Sequence, residues 1–209
     1  MIITRHGNNF FKFVFADQVV VVNPVSKNSK QKTVRFGSDL AISSLFHPDF
    51  NGYDEVSFKD KIPFVIKGAG EYEISDIFIK GYGLKQKYEG VDEMISSYSV
   101  FFDNINIAFF GPIDSAEEFT DEAFEEFSKS EIFFMPIGGG DSFSPKDAAK
   151  FLKQFSPKIV IPIFYSQESD VEEFSKALGV DIEKMDKLTI KHKDLLEGEQ
   201  VKLIDLKIV

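Results

Sequence analysis

The sequence has no cysteine, no tryptophan and only two arginines, Arg5 and Arg35, among its 209 residues. Lacking cysteine, it can form neither disulfides nor thiolate metal sites, and a cysteine nucleophile is excluded; such usage fits a reducing compartment. Two arginines leave few candidates for bidentate capture of phosphate or carboxylate. Net positive charge is missing too: 24 Lys and Arg stand against 34 Asp and Glu, a formal charge of −10. Nucleic acid is therefore disfavoured as the main partner, because that interaction draws on clustered cations to neutralise phosphates. No unbroken apolar run is long enough to span a bilayer, and the start Met1-Ile2-Ile3-Thr4-Arg5-His6 lacks the basic and apolar regions of a secretion signal. A cytoplasmic protein with no membrane and no nucleic-acid partner is the expectation.

What the chain has in quantity is phenylalanine, 24 residues, within a hydrophobic content of 43%. Length and content suit one buried core, so a single domain over 1–209 is expected. The same apolar material could also build an interface with a protein partner or with a second copy.

Two β-rich runs, Phe10 to Phe15 and Gln18 to Val22, meet at Ala16-Asp17 and predict a hairpin. Ser26 to Lys32 reads as a lysine-rich, solvated loop. Asp39 to Ser44 predicts a short strand, followed by Phe64-Val65-Ile66, Glu71 to Ile74 and Ile77 to Ile79. The glycines at Gly68 and Gly70 suggest a bulge or a close backbone approach, since no helix pattern follows them as a phosphate loop requires. Tyr98 to Phe102 and Ile105 to Phe110 predict two more strands. Thr120 reads as an N-cap with Asp121 and Glu122 in the first turn and Lys129 at the far end. Ile132 to Ile137 predicts a buried strand, Ser144-Pro145 a capped helix carrying Ala149, Leu152 and Phe155 inward, and Ile159 to Phe164 another strand. Ser169 with Glu172 suggests a capping box for a helix to about Leu178. Lys187 to Ile190 and Gln200 to Ile208, around Glu197-Gly198, alternate like a last pair of strands. Strands dominate the first half and alternate with helices in the second, an α/β pattern that buries short apolar strands beneath helices.

Polar chemistry concentrates in Ser43-Ser44-Leu45-Phe46-His47-Pro48-Asp49-Phe50-Asn51, a loop at a strand end, where such chains keep functional groups. His47 and Asp49 can each bind metal or move protons, yet their neighbours are apolar. His47 is expected to hydrogen-bond the backbone, and Asp49 to cap N–H groups of its own loop. Glu71 and Glu73, two apart in a strand, share one face as exposed carboxylates do. Ser142 and Ser144 have no predictable base nearby, and Ser144 suits an N-cap. His6 and His192 read as strand ends. The cluster Glu117, Glu118, Asp121, Glu122, Glu125 and Glu126 reads as a solvated helix face.

The order of these motifs resembles the metallo-β-lactamase fold superfamily, in the branch that includes the ascorbate-6-phosphate lactonase-like enzymes. The opening Ile3 to Lys12 is similar to that branch's first strand and glycine-containing turn, and Val19 to Pro24 to its second strand, with Asn23 where Asp is usual. Gly68-Ala69-Gly70-Glu71-Tyr72-Glu73 is close to a Gly-Pro-Gly-Glu-Tyr-Glu segment. Met135 to Gly140, and onward through Ala148-Ala149 to Pro157 and Tyr165, is similar to the C-terminal motif. The resemblance covers nearly the whole chain and implies a metallo-β-lactamase-like αββα four-layer sandwich.

It also implies where metal ligands would stand. Active members carry His-x-His-x-Asp-His where this chain reads Leu45 to Phe50, so the first and last of those histidines fall on Leu45 and Phe50. A later His and Asp fall on Phe109 and Pro112, and a final His on Phe164. Only His47 and Asp49 keep ligand-type side chains, and in the family they serve different metals. A catalytic zinc needs about three protein ligands and an open position. Zinc is expected for active family members but no cofactor is expected here, and no catalytic residue is assigned beyond the residual candidates His47 and Asp49. The expectation is a degenerate, non-catalytic member acting by binding or assembly, with its metal seats filled by apolar side chains. The alternative is a metal-dependent hydrolase-like enzyme with a noncanonical site around His47, Asp49, Asn51 or Asp114, acting on a small ester, lactone or phosphorylated substrate.

Overall fold

The computed structural model describes residues 1–196 and 200–209. The chain divides into two compact units, one of Met1–Gly68, Met185–Ile190 and Leu206–Val209, the other of Ala69–Lys184 and Lys191–Asp205.

In the first unit, β1 (Ile2–Arg5), β2 (Phe11–Phe15), β3 (Gln18–Val22), β4 (Leu40–Ile42), β5 (Phe64–Ile66) and β13 (Leu188–Thr189) form a sheet in the order β13-β1-β2-β3-β4-β5. The hairpin turns at Ala16, whose φ of 52° is left-handed, and sets Phe13 opposite Val20. Strands β3, β4 and β5 are parallel, with Val22 beside Ile42 and Ile42 beside Ile66. All three therefore end on the same edge of the sheet, and the 43–51 loop hangs from that edge. Phe10, Val21, Val25, Ala41 and Val56 form a buried cluster beneath it. Gly52 lets the loop close: a Cβ there would lie 2.3 Å from the Val25 carbonyl, and its N–H donates to Pro24 O at 2.7 Å.

The second unit holds β6 (Gly70–Ile74), β7 (Ile77–Tyr88), β8 (Val91–Phe102), β9 (Ile105–Phe109), β10 (Ile132–Pro136), β11 (Ile159–Ile163), β12 (Ile182–Met185) and β14 (Lys202–Leu206), in the order β12-β14-β11-β10-β9-β8-β7-β6. Its helices are α1 (Asp121–Phe127), α2 (Pro145–Leu152), α3 (Glu168–Leu178) and α4 (His192–Leu196). Thr120 and Ser144 cap α1 and α2, each accepting an N–H at 3.2 Å from the residue three positions on. Much of the phenylalanine lies between α1, α2 and the sheet: Phe110 packs 4.8 Å from Phe127 and 5.5 Å from Phe151, and Phe155 5.2 Å from Phe133.

Four expectations need correction. The Tyr98 strand is the end of a 12-residue β8 paired along its length with β7, and the chain turns at Glu89-Gly90, both left-handed. Helix α3 starts earlier than Ser169: Gln167 is its N-cap, and Asp170 reaches back to the Gln167 N–H at 3.2 Å. The final strands do not pair with each other, because β13 joins β1 while β14 joins β11. Between them His192 opens α4 rather than ending a strand. The turn expected at Glu197-Gly198 lies outside the described residues.

Candidate functional site

The 43–51 loop is tied down by its own backbone and by one neighbouring loop. Ser43, buried at the end of β4, donates its hydroxyl to Leu45 O at 2.8 Å and Phe50 O at 2.9 Å. Asn23 turns the chain after β3 with a φ of 53° and accepts the Ser44 N–H on Oδ1 at 2.8 Å. Both side chains are buried, and among the described residues Asn23 Nδ2 and Ser44 Oγ have no hydrogen-bond partner. An amide N–H thus stands where the resemblance implies a carboxylate, and the amide oxygen is already engaged.

His47 Nδ1 accepts the Asp49 N–H at 3.3 Å, and the His47 ring lies 5.9 Å from that of Phe50, which is fully buried. The backbone bond expected of His47 is present. Asp49 does something other than expected: it accepts the Ser29 hydroxyl, linking its loop to the lysine-rich one, and Ser26 N–H donates to Pro48 O at 2.9 Å alongside. Leu45 is buried, whereas Phe46 is 73% exposed. Asn51 gives its carbonyl to the Tyr53 N–H at 2.9 Å.

In the second unit, Phe109 is buried at the end of β9 and stacks on Phe134 with 4.9 Å between centroids. Pro112 is buried just beyond, where the Gly111 N–H donates to Ser97 Oγ at 3.1 Å. Phe164 follows β11 with a φ of 55°, a left-handed conformation uncommon for a bulky residue. Gly138 accommodates that corner: a Cβ on it would fall 1.9 Å from Phe164 O. Asp114 is exposed and lines a cleft of about 360 Å³ walled also by Glu117, Phe124, Phe143, Asp147 and Phe151. Ser144 is the N-cap it was expected to be, and buried Ser142 donates to Gly139 O at 3.2 Å.

Two polar residues near the sheet edge had no signal in the sequence. Arg5 is buried and donates to the carbonyls of Gly7, Asn8 and Leu206 at 2.8–3.2 Å, so it clasps backbone. His6 stands 5.6 Å from Phe10 and 5.4 Å from Phe36, with Thr4 Oγ1 3.0 Å from Nε2. Burial, and secondarily the Lys12 ammonium, hold its pKa down at about 4.

A family model described as the β-lactamase superfamily domain matches residues 2–164. The chain belongs to the β-lactamase superfamily. Its mixed α/β architecture of two sheets and few helices is the fold class expected from the sequence. Among curated relatives, a UPF0173 metal-dependent hydrolase from Methanopyrus kandleri is 35% identical over 65 residues, 28% of this chain and 28% of the relative. The matched stretches span no more than a third of the curated relatives' length. A proposed Zn-dependent hydrolase of the metallo-β-lactamase superfamily from Thermotoga maritima superposes with a TM-score of 0.75 at 20% identity, covering 99% of each chain. A proposed metal-dependent hydrolase from Parabacteroides distasonis gives 0.66 at 17% identity, over 98% of this chain and 93% of that one. Identities this low carry the fold alone.

The superfamily implies a metal, and the described residues bring together no cluster of donors for one. Among the described residues, no group of three or more His, Cys, Asp or Glu side chains could hold a metal ion. His47 Nδ1 and an Asp49 oxygen already serve as hydrogen-bond acceptors within the loops. The other seats implied by the family carry Leu45, Phe50, Phe109, Pro112 and Phe164, none of which can donate to a cation. No helix among the described residues is long and apolar enough to cross a membrane.

Proposed function

We propose that this chain is a β-lactamase-superfamily member whose metal seats have passed to apolar side chains, and that it acts by binding or assembly rather than by hydrolysis. The observation that carries the reading is the mismatch between the fold and its donors. The motif order is intact, while five ligand positions hold Leu, Phe or Pro and the two survivors are engaged in loop hydrogen bonds. Removing a divalent cation from water into such surroundings costs far more than two oxygen or nitrogen ligands return. The binding role, the partner and a location in the cytoplasm are parts of this proposal.

A second reading, a metal-dependent hydrolase with a noncanonical site, is favoured by the relatives, which are named metal-dependent hydrolases. The test is elemental analysis of protein purified without chelator. The proposal expects zinc, iron and manganese far below one per chain, and no metal-stimulated turnover of chromogenic ester, lactone or phosphate substrates. One tightly held metal per chain that is lost with Asp49→Ala, together with such turnover, would establish the second reading.

A further inference from the structure

The charges of this chain are sorted by sign along the sequence, and the sorted groups are exposed. From Gln18 to Ser38 there are four cationic side chains, Lys27, Lys30, Lys32 and Arg35, and no carboxylate. From Tyr88 to Ser128 there are 11 carboxylates and no Lys or Arg. Counted by unit, 11 cationic side chains stand against 7 acidic ones in the first, a net of +4, and 13 against 27 in the second, a net of −14. Lys27, Lys30 and Lys32 are exposed and make no ion pair among the described residues, and the same holds for Glu117, Glu118, Asp121, Glu122 and Glu125 along α1 and its approach. A surface of one sign left unpaired within its own chain attracts the opposite sign from elsewhere.

The cationic loop adjoins an apolar anchor. Its backbone is joined to the 43–51 loop by the Ser26–Pro48 bond of 2.9 Å and by the Ser29–Asp49 contact, and on that loop Phe46 is 73% exposed. An exposed aromatic ring can serve as the apolar anchor of an interface, with the lysines at its polar rim.

We propose that the face made by Phe46 and Lys27, Lys30 and Lys32 docks onto the acidic α1 ridge, Glu117 to Glu125, of a second copy of this chain. The occupant is a second copy because the complementary surface is carried by the chain itself: it is dense in carboxylates, of which, among the described residues, Glu126 alone is paired, with Lys80 and Lys129. The contact joins two different patches, so it is heterologous and builds rings or open chains rather than a closed two-fold pair. This inference rests on the binding role proposed above and names its partner.

The test is sedimentation velocity of the full chain at rising concentration in about 20 mM and about 500 mM NaCl, where the screening length falls severalfold. The expected result is a weight-average mass of at least twice 23.7 kDa at low salt, returning to 23.7 kDa at high salt. Phe46→Ser and the triple K27E/K30E/K32E each abolish association, as does E118K/E122K/E125K; all these positions are exposed, and unchanged circular dichroism confirms folding. Mixing the two triple variants makes both junctions complementary again, one native and one charge-swapped, and restores association. A wild-type monomer at low salt overturns the proposal, as does association that strengthens with salt or survives both triples. So does a monomer that binds a polyanion such as heparin through the lysines, which would point to nucleic acid instead. Metal content measured on the same preparation separates the two proposals: a bound metal with salt-sensitive association rejects the vacated metal site and leaves the docking face standing.

Discussion

Lowering the pH should destabilise this protein through His6. In the folded chain its pKa is held at about 4 against 6.5 in an exposed imidazole, first by burial and then by the Lys12 ammonium. Lys12 is itself fixed over the Phe36 ring at 4.2 Å, within the same His6-Phe10-Phe36 cluster. Between these two values the unfolded chain binds a proton that the folded chain refuses. Stability therefore rises with pH across the window: the His6 contribution is complete above about 6.5 and is lost as the pH falls toward 4. The full shift sets a ceiling of about 3 kcal/mol. Partial exposure of the ring discounts that to roughly 1–3 kcal/mol. Urea unfolding followed by far-UV circular dichroism from pH 7.5 to pH 4.5 measures it in the wild type and in His6→Gln. The variant loses ring packing at every pH, so the informative quantity is the slope: wild-type stability should fall more steeply with acid, by that amount. Parallel curves for the two proteins would refute the assignment.

Gly138→Ala should destabilise the fold by roughly 3 kcal/mol or more, because the added carbon meets the Phe164 carbonyl at 1.9 Å and backbone cannot step aside cheaply. A melting temperature within a degree of wild type would contradict the close approach. Arg5→Lys should cost about 2–4 kcal/mol, since one ammonium cannot serve the carbonyls of Gly7, Asn8 and Leu206 together. Thermal unfolding checks this, and a neutral result would make the clasp dispensable. Thr120→Ala should remove about 1 kcal/mol with the α1 cap. A chemical-denaturation midpoint unmoved by that change would show the cap to be redundant.

Local chemistry was legible in the sequence and long-range pairing was not. The β2–β3 hairpin and the caps of α1 and α2 announce themselves through alternation and side chains that reach three residues along the chain. The long β7 did not, because Gly81, Gly83 and Lys85 interrupt its pattern. Its pairing comes from the opposite strand: Gly81 faces Tyr98, whose ring would lie 2.8 Å from a Cβ there, so the glycine is a fitted gap. The last two strands looked like partners by alternation, yet each found a mate far away in sequence. At the candidate site, the positions that would carry ligands could be located only by resemblance, since Leu45, Phe109 and Phe164 look like ordinary core residues in isolation. The tie between Asp49 and Ser29, and the burial of Arg5, depend on loops and strands converging across the fold, which no local pattern encodes.

The corner at Phe164 bears on how such a chain changes over time. Its left-handed bend is shaped by the end of β11 and by the glycine at 138, neither of which depends on what the side chain at 164 is. A scaffold of this kind can exchange an imidazole for a phenyl ring with no redrawing of the main chain, and the exchange is open in reverse. The side chain at that corner is thus a matter of one codon, while the bend beneath it is set by glycine and strand.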